Sequence, residues 1–599
     1  MELNEIMERI SELEREIATL PPGSISEKKV KNKIYYYHRY TQNGERIENY
    51  IDFDKVEELR QKIKQRKALE AELKELRLSL PKPKKERKKK ENNHEFKTYV
   101  RIDEQLVNMS APVKKFKKRE CFKNLSDFVF GEQQDRVFIL YGLRRTGKTT
   151  LIRQVLLSMT PEQLSKAAFI QIKSKDTLSA VNTDLKYLET QGFKYVFIDE
   201  VTLMEDFIEG AALFSDIYAT CGMKIVLSGT DSLGFVFTQH EQLYDRCILL
   251  HTTFIPYREF ESVLGIHGIE EFIRYGGTMS MGGVNYNETS SFASEKNAGE
   301  YIDSAIAHNI QHSLKYYQDG GHFRHLYDLY TEGELTSAIN RVVENMNHRF
   351  TKETLTKTFM SSDLSLTARN LLNDRTESFD LNDNIDRELV VRSIKDMLDI
   401  LNKEEQSVEI DDVHAFQIKE YLTLLDLIME VDIVHFPNSN NRDKKVVISQ
   451  PGLRYAQANA LVNSLLLDEK FNVLSIVERN RVLDRAMGAI MGRMIEDLVL
   501  LETKIASPGK EVFQLQFAVG EFDMVIHDPE TLTCEIYEIK RSREVVPGQY
   551  AHLIDSEKCA ETEHRFGRIT GKYVIYRGDP TVSEGIRYLN IEEYLKSLA

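Results

Sequence analysis

Val137-Phe-Ile-Leu-Tyr141, then Gly142-Leu-Arg-Arg-Thr-Gly147-Lys148-Thr149-Thr150, then the apolar stretch from Leu151 to Leu157: this run decides how the chain is read. A β-type strand, a glycine-framed loop and a helix follow in the order of the G-x-x-x-x-G-K-[ST] phosphate loop. The glycines let backbone N–H groups close around phosphate oxygens at a helix N-terminus, and Lys148 adds a point charge for the β and γ phosphates. The Thr149 hydroxyl is placed to ligate Mg²⁺. The expected binding set is Gly142, Arg144, Arg145, Thr146, Gly147, Lys148, Thr149 and Thr150, with ATP or GTP as ligand.

Downstream, Tyr195-Val-Phe-Ile-Asp199-Glu200 is a second apolar strand ending in two carboxylates. In that order after a phosphate loop, Asp199 suits a Mg²⁺ ligand and Glu200 a base that activates water. A third strand, Lys224 to Leu227, ends in Ser228-Gly229-Thr230, and Asp245-Arg246-Cys247 leads into a fourth, Ile248 to His251. No guanine-reading Asn-Lys-x-Asp follows, which disfavours a GTPase.

These segments, GLRRTGKT, FIDE, SGT, DR and Ile255-Pro-Tyr-Arg-Glu-Phe260, resemble a prokaryotic group of AAA+ ATPases over Phe130 to about Tyr275. The resemblance implies that Ser228 senses the γ-phosphate and that Arg246 is the arginine a neighbouring subunit offers to it. Serine stands where threonine is usual, and Asp245 where glycine is. A local ion pair of Arg246 with Asp245 or Glu241 is the alternative. Gly276-Gly277 fits the family's passage into a helical lid.

Length and composition fit this modular picture. A chain of 599 residues with 41% hydrophobic and 29% charged residues has room for several cores and is neither fibrous nor wholly disordered. No run approaches a membrane span, the start is acidic, and five scattered cysteines indicate neither a disulfide framework nor a zinc knuckle; the cytoplasm is the expected location. The net charge of -14 is segregated: residues 81–123 carry 15 Lys or Arg against 6 Asp or Glu. Their densest part, Lys82 to Lys90, reads as a solvated linker or a phosphate-backbone contact.

Ile6, Ile10, Leu13, Ile17 and Leu20 recur as a coiled-coil seam that Pro21-Pro22 stops, and Leu69, Leu73, Leu76 and Leu80 stripe a second helix from about Asp54. Between them, two strand-like runs flank Asn43-Gly44, the dipeptide of a tight hairpin turn. The expectation is a coiled-coil stalk tipped by a β-hairpin, open to a protein partner. Tyr35, Tyr36, Tyr37, His38, Arg39 and Tyr40 either stack on bases or pack the hairpin. Farther on, a helix near 411–430 followed by strands at Val431–Phe436 and Lys444–Ser449 has a winged-helix shape, either a DNA contact or a spacer.

Near the C-terminus, two β-type runs flank Asp528 to Thr533. Pairing His527 with Cys534 sets Asp523 opposite Glu538, and alternation places Lys540 on the same face. Two acids beside one lysine suit Mg²⁺ or Mn²⁺. This D-x₁₄-E-x-K array resembles the PD-(D/E)xK nucleases, which implies a further metal ligand from an upstream helix, at Glu496. Proline is absent before Asp523, and Gln549 fits a later glutamine of some members loosely.

The reading is thus a multidomain α/β chain: coiled coil with β-hairpin (1–80), basic linker (81–125), AAA+ P-loop core (126–275), helical lid and helical region (276–405), winged-helix-like segment (406–480) and PD-(D/E)xK-like domain (481–599). The expected catalytic residues are Glu200, Arg246, Asp523, Glu538 and Lys540; the cofactor set adds Asp199 and Ser228; the metal ligands are Thr149, Asp199, Glu496, Asp523 and Glu538. The expected function is an ATPase coupled to a metal-dependent DNA nuclease, a homo-oligomer acting in defence against foreign DNA. The alternatives are a nucleotide-switched DNA- or protein-binding ATPase whose nuclease fold is inactive, and, for the C-terminal stretch, a plain charged surface hairpin.

Overall fold

The computed structural model describes residues 9, 12, 13, 15–17, 19–30, 33–42, 45–79, 95–133, 135–204, 206–230, 235, 243, 245–279, 295–307, 323–360, 410–437, 442–464, 466 and 474–598. They divide between two compact units, Met1–Glu95 and Phe96–Ala599.

In the first unit, strands β1 (Ser24–Val30), β2 (Lys33–Gln42) and β3 (Glu45–Ile51) form an antiparallel sheet in that order. Gln42 lies opposite Glu45, the register a two-residue connection gives; Asn43 and Gly44 themselves lie outside the described residues, as do Ile6, Ile10 and Leu80. The expected hairpin is therefore two strands of a three-stranded sheet. The helix α1 (Phe53–Ser79) buries Val56 and Ile63, while Leu13 and Ile17 are buried on the preceding helical stretch. Arg9 bonds Glu72 at 3.1 Å, and Arg66 donates to the carbonyls of Ile17 and Leu20, so the two helical stretches run antiparallel.

In the second unit a six-stranded sheet has the order β4-β6-β7-β8-β5-β9, built from β4 (Tyr99–Ile102), β5 (Val137–Tyr141), β6 (Ala167–Gln171), β7 (Tyr195–Asp199), β8 (Lys224–Gly229) and β9 (Cys247–His251). The last five are parallel, and β4 adds to β6 antiparallel. Helices α2 (Lys148–Ser158) and α3 (Leu178–Thr190) cover the sheet, whose strands are apolar on both faces as a parallel sheet requires. Of the linker expected at 81–125, residues 81–94 lie outside the described residues, and Tyr99–Ile102 form β4. Buried Asp184 of α3 holds the backbone N–H groups of Lys97 and Thr98. Helices α4 (Tyr257–Leu264) and α5 (Ile269–Tyr275) follow the core, and α6 (Leu335–Met360) is the longest described helix between 276 and 405; 361–409 lie outside the described residues.

Helix α7 (Asp412–Leu424) leads into β10 (Ile428–His435) and β11 (Arg442–Ile448). This hairpin, expected as the wing of a separate segment, is built into the C-terminal sheet, because β10 pairs in parallel with β12 (Glu511–Gln516). The full order is β11-β10-β12-β13-β14-β15-β17-β16, with β13 (Glu521–Asp528), β14 (Thr533–Ile539), β15 (Arg568–Tyr576), β16 (Thr581–Ser583) and β17 (Ile586–Asn590). A boundary at 480 would cut through one sheet. Helices α8 (Pro451–Ser464) and α9 (Ile476–Ala506) pack against it, α9 burying Val499 and Leu501 in a core shared with Met524, Tyr537 and Ile539. Ser475 and Glu478 start α9 as a reciprocal cap.

Candidate nucleotide site and C-terminal carboxylate site

The phosphate loop joins β5 to α2 with its glycines at positive φ: Gly142 at 139° and Gly147 at 91°. A side chain at 142 would strike the Thr252 hydroxyl at 2.7 Å, so only glycine lets the loop close there. Lys148 is buried and donates to the carbonyls of Gly142 and Leu143, both at 2.8 Å, and burial pulls its ammonium down to about 8. Thr149 donates to one oxygen of Asp199 (2.9 Å) and Ser228 to the other (2.5 Å), so strand ends β7 and β8 and the loop meet at a single carboxylate. Glu200 follows in a left-handed conformation at φ 60° with Thr230 at 3.3 Å. Its burial, then the charge of Asp199, raises its carboxyl above the usual range. Arg144 and Arg145 are exposed, and Thr150 is half-buried on the first turn of α2. The donor set fits a nucleotide with Mg²⁺: the Lys148 ammonium and the glycine-framed loop for phosphate, the Thr149 hydroxyl and Asp199 carboxylate for the ion.

Thr146 plays a structural part. It is buried, donating to the Leu143 carbonyl and meeting the Thr252 hydroxyl at 2.8 Å. Sequence reasoning missed its main partner, Arg119, only 7% exposed, whose guanidinium donates to the carbonyls of Thr146, Thr252 and Phe254 and forks onto Glu259 of α4. Tyr301 and Met279 donate to the carbonyls of Arg144 and Arg145, tying the loop to residues beyond the core.

Arg246 is not paired with Asp245. It holds both oxygens of Asp216, at 2.6 and 2.7 Å, while Asp245 faces Arg136; Glu241 lies outside the described residues. Cys247, its neighbour, is level with Val137 at the start of β5. That is roughly 17 Å of strand from the phosphate loop. Arg246 is therefore outside its own chain's nucleotide site.

In the C-terminal sheet His527 does pair with Cys534. Asp523 receives the Ile539 N–H at 2.7 Å, and Lys540 bridges Asp523 at 2.9 Å and Glu538 at 2.6 Å. Both acids are buried. Burial pushes Glu538 well above the carboxylate range; Asp523 is held low against burial by Lys540 and the Ile539 N–H. Lys540 stays well above its usual value despite burial, through Asp523 and then Glu538. Glu538 Oε1 is buried with no hydrogen-bond partner.

The three-acid metal set is corrected. Among the described residues no three His, Cys, Asp or Glu side chains gather as a cation cage. Glu496, raised by burial and then by Asp523, gives its Oε2 to Arg493 at 2.5 Å. The remaining pair, with an orphaned oxygen on Glu538, fits a hard ion that completes its shell with water and phosphate, as Mg²⁺ does. Gln549 is turned to the Ser542 hydroxyl and Glu544 carbonyl, bracing the loop after Lys540.

Lys540 opens into a cleft of about 1560 Å³ bounded by α6, β11, α9 and the 541–549 loop. Eleven lysines and arginines line it against five acids. Buried Asp497 holds Lys445 of β11, Arg454 of α8 at 2.9 Å and Arg493, three cations on one carboxylate. Five more acids, Glu270, Glu430, Asp497, Asp523 and Glu538, pair with seven of the lining cations from outside the wall.

Residues 134–261 match the family described as AAA domain, and residues 3–61 match a Domain of unknown function (DUF6788). Similar solved structures include the Orc1 protein of Aeropyrum pernix in complex with DNA (13% identity, TM-score 0.22, covering 62% of this chain and 99% of that one). Others are S. cerevisiae Hsp104 with casein (11%, 0.23, 57% and 60%) and AMPPCP-bound DnaA from Aquifex aeolicus (13%, 0.17, 54% and 96%). At those TM-scores the likeness decides nothing further. No curated protein matches, and no described helix is long and apolar enough to cross a membrane. Phosphate-loop geometry, parallel strand order and the family match together make residues 134–261 an AAA+-type nucleotide-binding core.

Proposed function

We propose that the chain is an ATP-hydrolysing AAA+ ATPase whose C-terminal sheet is a metal-dependent DNA nuclease. The observation that carries this reading is the Asp523–Lys540–Glu538 array beside a cleft lined by eleven lysines and arginines, with one Glu538 oxygen left without a hydrogen-bond partner. Cleft cations grip the phosphodiester backbone, the sequence-independent part of DNA binding. Asp523 and Glu538 would hold Mg²⁺ or Mn²⁺, which would supply an activated water and neutralise charge on the phosphate. Lys540, displaced from between the acids, orients the attacking water and stabilises the developing charge. In the nucleotide site Lys148 and the loop grip the phosphates, Thr149 and Asp199 place the ion, Ser228 senses the γ-phosphate through Asp199, and Glu200 takes the proton from water.

Exposed Arg246, remote from its own phosphate loop, suits delivery to a neighbouring copy, so the proposal includes a homo-oligomer. A mass that stays at 69.4 kDa with an ATP analogue would refute that part. The cytoplasm is the proposed location, and the N-terminal helices are a proposed dock for a protein partner. Gating by nucleotide would spare the host's own DNA, the physical motive for a role in defence.

A second reading is favoured by one observation: Lys540 pairs with one oxygen of each carboxylate. On that reading the C-terminal fold grips DNA or a partner and cuts nothing. Calorimetric titration of nucleotide-free protein with Mn²⁺ separates the two. The nuclease reading expects a site lost in Asp523→Asn; an unchanged titration in the variant rejects it.

A further inference from the structure

Two of the cleft's arginines are engaged by a residue outside the C-terminal sheet. Glu270, in the first turn of α5, takes three N–H groups on one oxygen: Arg541 Nε at 3.2 Å, Arg541 Nη2 at 2.7 Å and Arg577 Nη1 at 2.6 Å. Arg541 directly follows Lys540, and Arg577 follows β15 alongside it. The Lys540 N–H bonds the Ile575 carbonyl and the Arg577 N–H the Ser542 carbonyl, so the strand ends fix both arginines beside the carboxylate array. All three side chains are partly exposed, at 26% and 12% for the arginines and 25% for Glu270, and both arginines line the cleft.

Guanidinium groups bind carboxylate and phosphate through the same planar N–H fork. A carboxylate shared by two arginines at the edge of a nucleic-acid cleft therefore occupies the place of one backbone phosphate. Glu270 remains ionised there: burial opposes it, but Arg541 and then Arg577 hold its carboxyl below the usual range. Its helix is also fixed from the far side, since Glu592 accepts the Ile269 N–H at 3.0 Å. It follows α4 closely, where Glu259 meets Arg119 and, through Arg119, the phosphate loop.

We propose that Arg541 and Arg577 form a binding site for one backbone phosphate of DNA, occupied in this structure by the Glu270 carboxylate as an internal competitor. This rests on the reading of the cleft as a DNA site. Removing the charge of Glu270 takes that carboxylate off Arg541 and Arg577 without removing any group proposed to touch the ligand. The salt dependence of binding reads the added contact, since each phosphate contact adds about 0.9 to the slope of log affinity against log salt.

The test uses the full chain, EDTA, no nucleotide and a fluorescein-labelled 30-base-pair duplex, read by anisotropy from low to moderate salt. Glu270→Gln is expected to bind about three- to tenfold more tightly with a salt slope steeper by about one, while Glu270→Asp stays near wild type. Adding Arg541→Gln and Arg577→Gln to Glu270→Gln is expected to abolish the gain. Glu270→Gln binding with unchanged or weaker affinity, or a gain that survives loss of both arginines, overturns the proposal. Wild type and Glu270→Gln both failing to bind the duplex would instead reject the DNA reading of the cleft.

Discussion

Asp523 and Glu538, facing each other from β13 and β14, share one ammonium, that of Lys540, at 2.9 and 2.6 Å. Its removal exposes the purpose of the pair. In Lys540→Met two buried acids face each other with no cation, so Glu538 protonates or an ion enters. Mn²⁺ is expected to raise the melting temperature of Lys540→Met more than that of wild type, although cleavage is lost. Equal shifts in both would show that the lysine and the ion do not compete.

Lys148 gives a pH prediction for nucleotide affinity. With its ammonium lowered to about 8 in the free protein, it is charged below that pH and neutral above it. Phosphate requires the charged form, so binding above about pH 8 takes up a proton and the apparent affinity falls by up to about tenfold per pH unit. Titration of labelled ATP from pH 7 to 10 measures this, and a flat profile to pH 10 contradicts it.

Arg119 is a positioning residue for the phosphate loop, and its fork cannot be copied by an ammonium. Arg119→Lys keeps the charge for Glu259 but loses contacts to Thr146, Thr252 or Phe254. ATP affinity is expected to fall about tenfold, the cost of one to two hydrogen bonds, with a much smaller change in melting temperature. A variant that loses stability but binds ATP like wild type would show that the contact is structural alone.

Glu502 links α9 to the nucleotide core by accepting the Tyr257 N–H at the start of α4. Burial raises it to about 8, with Arg258 opposing and Glu120 adding to the shift. The folded protein therefore keeps a proton that the unfolded chain loses in the ordinary carboxylate range. The resulting stabilisation is full at low pH, declines at about 1.4 kcal/mol per pH unit, and is gone above about pH 8. Glu502→Gln keeps the acceptor and removes the titration, so relative to wild type it gains stability as pH rises from 5 to 8. Parallel pH–melting curves for the two proteins contradict this.

The sequence made local chemistry legible and long-range pairing illegible. The phosphate loop, the strand ending in Asp199 and the His527–Cys534 register could be read because each is specified within a few residues by glycine placement or a turn. Arg119 could not, because its partners Thr252 and Glu259 lie more than a hundred residues away and its neighbours are themselves basic. Glu270 was hidden for the same reason. The β10–β11 hairpin was found, but its parallel partner β12 lies beyond α8 and α9, a pairing no local pattern encodes. β1 was missed because Ser24-Ile-Ser-Glu-Lys-Lys-Val30 is mostly polar, as an edge strand of a small sheet is.

Whether the carboxylate array cuts DNA is decided most directly with supercoiled plasmid, Mn²⁺ or Mg²⁺ and ATP, comparing wild type with Asp523→Ala and Lys540→Ala that still bind ATP. Nicked or linear plasmid with wild type, at least a hundredfold slower with each variant, is the predicted result. Plasmid left intact by wild type, or cut equally by all three, contradicts the account.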